Sequence, residues 1–350
     1  MITIDGSYGE GGGQILRSTL TLAAILGKPV EVVNIRAGRK KPGLQPQHLT
    51  GVRAVAEICL GQIEGDNLLS QRVIFHPGKI QSGNYEFDVM KVKASAGSTG
   101  MIFQQIAPIL AFGKNESSVS LKGGTHTEMA PPIDYLQKVF LPTVAKMGFY
   151  ATLEIERWGW YPIGQGLVKT KIQPLKGKLK AINLNERGNL KRIFGLAIVS
   201  RLPLSIAERE RNLASARIKE LGLGNFFECE ISSVPSLGTG NAFQLVAEYE
   251  NSIVGFNSLG KIGKRAEKVA EEAVTEFIKF HQSNAGIEKH LADQLILYLA
   301  LAQGLSSFTV SEITSHLLTN IWVVEQFLPI KFKIEGNKIQ APGVGLSTLP

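Results

Sequence analysis

The N-terminal stretch Met1-Ile-Thr-Ile-Asp5-Gly-Ser-Tyr-Gly9-Glu-Gly-Gly-Gly13-Gln-Ile-Leu-Arg17 reads as a strand, a glycine loop and the start of a helix. Ile2 to Ile4 is a short apolar run suited to a strand, and Gly9-Glu10-Gly11-Gly12-Gly13 is the loop. Ile15, Leu16, Leu20, Ala23 and Leu26 fall at helical spacing, so a helix is expected over Gln14 to Leu26, closed by Gly27. A turn of this kind leaves backbone N–H groups free at a helix N-terminus. Two roles are open to it: a tight connection, or an anion cradle. Glu10 can ligate a divalent cation there, and Arg17, one turn into the helix, can reach a phosphate.

Moving outward, Val30 to Ile35 is β-branched and strand-like, and a helix is expected over residues 48–60. A similar order recurs. Ser117 to Leu121, a Gly/Pro loop and a helix from Asp134 to Met147 form one copy. Phe308 to Val310, a polar turn, a helix through Phe327 and the strand Ile330 to Ile334 form another. A βα repeat of roughly 70–100 residues is the expected architecture. Near residues 175–185 the composition turns lysine-rich, and from there to residue 280 the pattern is strand-helix-strand-strand-helix. We therefore expect a large domain over residues 1–182 and 281–350, with a compact α/β module inserted over residues 183–280.

The chain has 350 residues, with 38 Lys and Arg against 30 Asp and Glu, a formal charge of +8. That length exceeds one small core, and the basic balance favours polyanionic partners without naming one. Thirty-seven glycines, clustered rather than periodic, exclude collagen and point to tight turns. Two cysteines, Cys59 and Cys229, cannot form a disulfide framework, which fits a reducing cytoplasm. Charges at Asp5, Glu10 and Arg17 argue against a signal peptide. The uncharged stretch Ala94–Gly113 carries too many Ser, Thr and Gln residues for a membrane span, so no membrane is expected. Nothing calls for an obligate protein partner.

Three further features bear on chemistry. The loop Arg36-Ala-Gly-Arg39-Lys40-Lys41-Pro-Gly43 concentrates four cations and is followed by Gln47 and His48. It reads as a solvated loop or as a receptor for a polyphosphate or an RNA terminus. Gly255-Phe-Asn-Ser-Leu-Gly260-Lys261 matches a phosphate-loop pattern, but Ile262 stands where Ser or Thr must hold a cation, so a plain turn is expected. Of six histidines, none pairs at metal-ligand spacing. His316 follows two possible N-caps, Thr314 and Ser315, in a helix whose buried stripe is Leu317, Ile321, Val324 and Leu328. It reads as a capping histidine, the simpler choice from the residues alone. The other choice is a nucleophile kept neutral by the positive end of a helix.

Six motifs, in order, resemble those of the RNA 3′-terminal phosphate cyclases. They are Gly9 to Arg17, Ile35 to Arg39 with Lys41-Pro-Gly43, Gln47-His48-Leu49, Ala130-Pro-Pro-Ile-Asp134, Leu291-Ala-Asp-Gln-Leu295 and His316-Leu-Leu-Thr-Asn320. The resemblance spans essentially the whole chain and implies an α/β (α+β) fold, with repeated βαβαββ units in a large domain and a smaller inserted α/β domain. It implies ATP as co-substrate, a divalent Mg²⁺ or Mn²⁺ ion, and RNA 3′-phosphate ends as substrate. In such enzymes a histidine takes AMP from ATP, AMP passes to the RNA 3′-phosphate, and the 2′-OH displaces it to leave a 2′,3′-cyclic phosphate.

By matching position, the resemblance implies that His316 is the nucleophile and Glu10 the metal ligand. Gln104 and the run His290, Leu291, Ala292, Asp293 and Gln294 would contact ATP, with Pro131 and Tyr135 beside the adenine. Arg17, Arg36, Arg39, Gln47 and His48 would bind phosphates or the RNA end. Departures are Trp158 and Gln165, which replace a histidine and a glycine of a family signature, and His290, where tyrosine is common. Two other readings remain open: a non-catalytic cyclase-like RNA-processing factor, and a small-molecule transferase on a related repeated fold.

Overall fold

The computed structural model describes residues 1–92 and 95–347; the uncharged stretch noted above begins at Ala94, outside those residues. The first unit runs β1 (Ile2–Asp5), α1 (Gly13–Leu26), β2 (Val30–Val33), α2 (Pro46–Ile58), β3 (Gln62–Glu64) and β4 (Val73–His76). The second starts with β5 (Asn84–Asp88), α3 (Thr99–Ala111) and β6 (Ser117–Gly123). A helical stretch follows as α4 (Ile133–Tyr135), a π turn over Leu136–Phe140 and α5 (Leu141–Ala145), and β7 (Ala151–Arg157) and β8 (Gly166–Ile172) close the unit.

The third unit is interrupted. Its first strand, β9 (Asn183–Leu184), is followed by β10 (Leu190–Ser200), α6 (Ser205–Glu220), β11 (Phe227–Ser233), β12 (Gly240–Tyr249), β13 (Ile253–Leu259) and α7 (Ala266–Ser283), which belong to a separate sheet. The unit then resumes with α8 (Lys289–Leu301), β14 (Gln303–Thr309), α9 (Ser315–Phe327), β15 (Lys333–Glu335) and β16 (Lys338–Val344).

Three four-stranded sheets share one topology: β1-β2-β4-β3, β5-β6-β8-β7 and β9-β14-β16-β15. In each, the first pair is parallel and the other two are antiparallel. A parallel pair needs a crossover, and the first helix of each unit supplies it. This is the expected βαβαββ repeat. The copies read from sequence at residues 117–148 and 308–334 are the second halves of their units, because the short leading strands β5 and β9 carry too little apolar pattern to announce themselves.

One apolar core joins all three units, with Leu20, Phe103, Tyr135, Leu295 and Phe308 among its members. The inserted sheet, β11-β10-β12-β13, has its own core against α6 and α7, including Phe243, Phe277 and Ala285. A third, small cluster joins the two: Trp160, from the loop after β7, packs on Leu196, Ile198, Val234 and Ala242 of the insert. Gly240 is required there, since a Cβ would fall 1.8 Å from the Trp160 ring. The stretch expected to be a turn at Gly255–Lys261 is mostly strand, because residues 253–259 pair in register with β12. Cys59 and Cys229 are free. Among the described residues, no helix is long and apolar enough to cross a membrane.

Candidate active site

The glycine turn lies across the start of α9. At Gly9 the backbone has φ 57°, and a side chain would meet Thr319 Oγ1 at 2.5 Å, so only glycine allows this close approach. The turn closes with Gly11 N–H donating to Tyr8 O, and it brings Glu10 over His316. Glu10 Oε2 lies 3.0 Å from His316 Nε2 and 3.1 Å from Arg39 Nη2. Thr314 is the N-cap of α9, its Oγ1 accepting from Leu317 N–H at 3.1 Å. His316 is therefore in the first turn, as the sequence suggested.

Contacts from α1 and α8 fix that turn. Gln14 Nε2 donates to the His316 carbonyl at 3.1 Å, and Ser18 donates to Asn320, whose amide donates to the Asp293 carbonyl. The His316 ring is half-buried. Burial lowers its pKa below the usual histidine value, and Arg39, Arg17 and His290 push the same way against Glu10. The lowered pKa favours the uncharged ring.

Beneath the turn, His48 is buried, and its Nδ1 accepts from the Gln45 backbone N–H at 3.3 Å. That bond assigns the ring proton to Nε2, which faces Gly13 so closely that a Cβ there would be 2.4 Å away. Burial, with Arg36 and Arg17 adding to it, lowers the His48 pKa to about 3. Burial also brings Arg17 down to about 10, partly offset by Asp293, so Arg17 remains a cation at neutral pH. The carboxyl of Asp293 is raised well above its usual range by burial and by Glu288, with Arg17 opposing.

His316 and Arg17 open onto a cavity of about 840 Å³ between the repeat units and the insert. Its far wall carries Pro131 and Tyr135, and Gln104 reaches across to Gln294 with an amide hydrogen bond of 2.8 Å. The Tyr135 hydroxyl donates to Glu288 at 2.5 Å, and Glu288 caps α8 by accepting from His290 and Leu291 N–H. His290, Asp293 and Gln294 line the cavity, but Leu291 and Ala292 do not: both are fully buried in the core. The run is helical, and a 3.6-residue period cannot turn five consecutive side chains to one face.

Two further expected contacts have other duties. Arg36 donates through Nη1 to the carbonyls of Lys41 at 2.5 Å and Gly43 at 2.9 Å, which stiffens the basic loop. The Gln47 side chain accepts from Ser98 N–H at 2.9 Å and so anchors the start of α3.

Sequence reasoning missed Gln14, whose Oε1 is buried on the cavity wall without a partner among the described residues. It also missed the insert's share of that wall. Asn257 and Ser258 come from β13, and Lys264 donates to Ser258 at 2.9 Å while pairing with Glu272 at 2.5 Å. The glycine-rich match around Gly255 was a signal for this segment, though for the wrong reason. Near it, the Ala130–Asp134 loop is tied down by a 2.8 Å pair between Asp134 and buried His126, whose ring lies 4.9 Å from Trp160.

No three His, Cys, Asp or Glu side chains among the described residues converge as a metal site. Glu10 is the carboxylate of the glycine turn that could hold a divalent cation, and an oxygen donor of that kind suits Mg²⁺.

The family model described as RNA 3′-terminal phosphate cyclase matches residues 8–334. The RNA 3′-terminal phosphate cyclase of Trichormus variabilis is 44% identical over 332 residues, covering 93% of this chain and 94% of its own. That of Methylococcus capsulatus is 44% identical over 93% of this chain and 91% of its own. The archaeal protein of the same name from Pyrobaculum aerophilum is 40% identical over 98% of this chain and 99% of its own. Among solved structures, an EPSP synthase from Acinetobacter baumannii aligns over 99% of this chain and 49% of its own, at 14% identity and a TM-score of 0.40, and supports no argument. By the reach of the family model and the identity of these relatives, the chain belongs to the RNA 3′-terminal phosphate cyclases.

Proposed function

We propose that this cyclase uses ATP to convert an RNA 3′-terminal phosphate to a 2′,3′-cyclic phosphodiester through a covalent histidine–AMP. The observation that carries the mechanism is the His316 ring in the wall of an 840 Å³ cavity, its Nε2 3.0 Å from Glu10, which also pairs with Arg39. That volume lies within the roughly 300–1,000 Å³ usual for small-molecule sites.

His316 Nε2 attacks the α-phosphorus of ATP; the N–P bond forms and the bond to pyrophosphate breaks. An oxygen of the RNA 3′-phosphate then attacks the same phosphorus, releasing the imidazole. Finally the 2′-OH attacks the 3′-phosphorus, and AMP leaves. Adenylylation is needed because a phosphate monoester has no good leaving group. Attack requires Nε2 free of its proton, so the Glu10–His316 contact is a resting arrangement that ATP displaces. Glu10 would hold a divalent cation, Mg²⁺ or Mn²⁺, which would supply positive charge against the triphosphate. Arg17 and Arg39 contribute further positive charge, and His48 a neutral N–H donor.

Gln104, Gln294, His290 and Asp293 are the ATP contacts in this reading, with Pro131 and Tyr135 at the adenine. Leu291 and Ala292 serve by packing α8, and Arg36 and Gln47 by holding the basic loop and α3. The large domain, residues 1–182 and 281–350, carries the chemistry, while the insert, 183–280, closes the nucleotide cavity. A cytoplasmic setting belongs to the same proposal, supported by two free cysteines.

The test is protein labelling by ATP carrying a labelled α-phosphate, with a divalent metal present. We expect an acid-labile, alkali-stable label that His316→Ala abolishes and that Glu10→Ala slows by at least tenfold. Equal labelling of His316→Ala would remove the nucleophile assignment. RNA binding without any label on the wild-type protein would favour a non-catalytic relative.

A further inference from the structure

Tyr8 is the one aromatic residue in the glycine turn, and it is 44% exposed. Its ring stacks on Trp322 of α9, with centroids 4.0 Å apart and planes 9° from parallel. Its hydroxyl makes no hydrogen bond among the described residues, so neither packing into the core nor a polar anchor accounts for the ring. One residue, Gly9, separates it from Glu10, a span of at most about 7 Å.

The surroundings are cationic. The basic loop presses on the same turn: a Cβ at Gly11 would lie 2.9 Å from Gly38 N. Arg39 pairs with Glu10, while Lys40 and Lys41 are exposed and make no ion pair among the described residues. The aromatic pair also lies apart from the nucleotide cavity. Asn320 and Val324 line that cavity, whereas Trp322, between them in sequence, projects from a different side of α9, where Tyr8 stacks on it.

Displacement at phosphorus in line with the imidazole brings the RNA end in opposite the ring nitrogen, on the side where Glu10 and Arg39 stand. The wall there is the glycine turn and the basic loop. An extended RNA strand needs cations for its phosphates and flat apolar surfaces for its bases. We propose that Tyr8, backed by Trp322, is a stacking platform for a nucleobase at the 3′ end of single-stranded RNA, with Lys40 and Lys41 holding the adjoining phosphates. This deepens the reading of the same site and rests on the RNA-end substrate proposed above.

The experiment uses short single-stranded RNAs ending in a 3′-phosphate, with 2-aminopurine as the terminal or the penultimate base. Stacking quenches that fluorophore. Binding to the wild type and to Tyr8→Phe quenches one of the two positions, while Tyr8→Ala loses the quench and binds about tenfold more weakly. Undiminished quenching and affinity in Tyr8→Ala would overturn the platform. So would a drop in ATP-only self-labelling matching the loss of RNA binding, since Tyr8 would then merely shape the Glu10 turn. Self-labelling by a wild-type protein that binds none of these RNAs would remove the RNA-end reading and the platform with it. RNA binding with a Tyr8-dependent quench but no label would sink the histidine–AMP mechanism and leave the platform standing.

Discussion

At the scale of single residues, His48 shows how burial turns a titratable group into a fixed one. Its folded pKa is about 3, against about 6.5 for a solvated histidine. Between those values the unfolded chain holds a proton that the folded chain refuses, so stability falls as pH drops through that window and is intact above about 6.5. The expected slope is about 1.4 kcal/mol per pH unit relative to His48→Gln. Denaturation midpoints of both proteins between pH 7 and pH 4 measure it, and parallel curves would contradict a neutral buried ring. At this scale much of the site was legible. Glu10, Arg17 and Arg39 stand in short motifs whose residue types suggest ligands for a cation or a phosphate, whereas for His316 the residues alone favoured a cap and only the family resemblance implied a nucleophile. Leu291 and Ala292 shared a motif with true cavity residues, and only helical phase separates the two groups.

At the scale of elements, α9 is positioned by its cap. Thr314 satisfies Leu317 N–H and starts the helix where His316 meets Glu10. Thr314→Ala is expected to lose about 1 kcal/mol of stability and to slow self-labelling severalfold, because the first turn frays. Thr314→Ser should restore both; stability by chemical denaturation and labelling rate are the readouts. Helices such as α1 were legible to within a residue or two, since apolar period and Gly27 mark them. Strand β13 was not. Its role depends on pairing with β12, and local sequence around Gly255 carries a turn's composition without recording the partner. The helical stretch after Pro132 was expected whole and is broken by a π turn, a local hydrogen-bond shift that side-chain periodicity does not encode.

At the scale of the whole molecule, the cavity lies where the insert meets the repeat units, and the insert packs on the second unit through Trp160 and through Gly255 beside Tyr135 and Val139. The Trp160 ring is 4% exposed and sits against Gly240, while His126 beside it holds the loop that ends in Asp134. Trp160→Ala removes a contact of the class that costs about 3–5 kcal/mol in a well-packed core. Domain separation is the expected result, seen as faster proteolysis between the insert and the large domain and a KM for ATP raised severalfold. Unaltered proteolysis and KM would mean that the insert is held elsewhere. The repeat was legible as a pattern and the insert as a change in composition, but their mutual placement was not, because it rests on contacts between residues far apart in the chain, Trp160 with Gly240 and Gly255 with Tyr135 among them. The threading of the third unit has a consequence for biosynthesis. Strand β9 pairs with β14 across the full length of the insert, and His316 follows later still. A nascent polypeptide therefore carries three finished sheets, the insert's among them, and an orphan strand until β14 leaves the ribosome, and a product terminated before residue 316 lacks the proposed nucleophile.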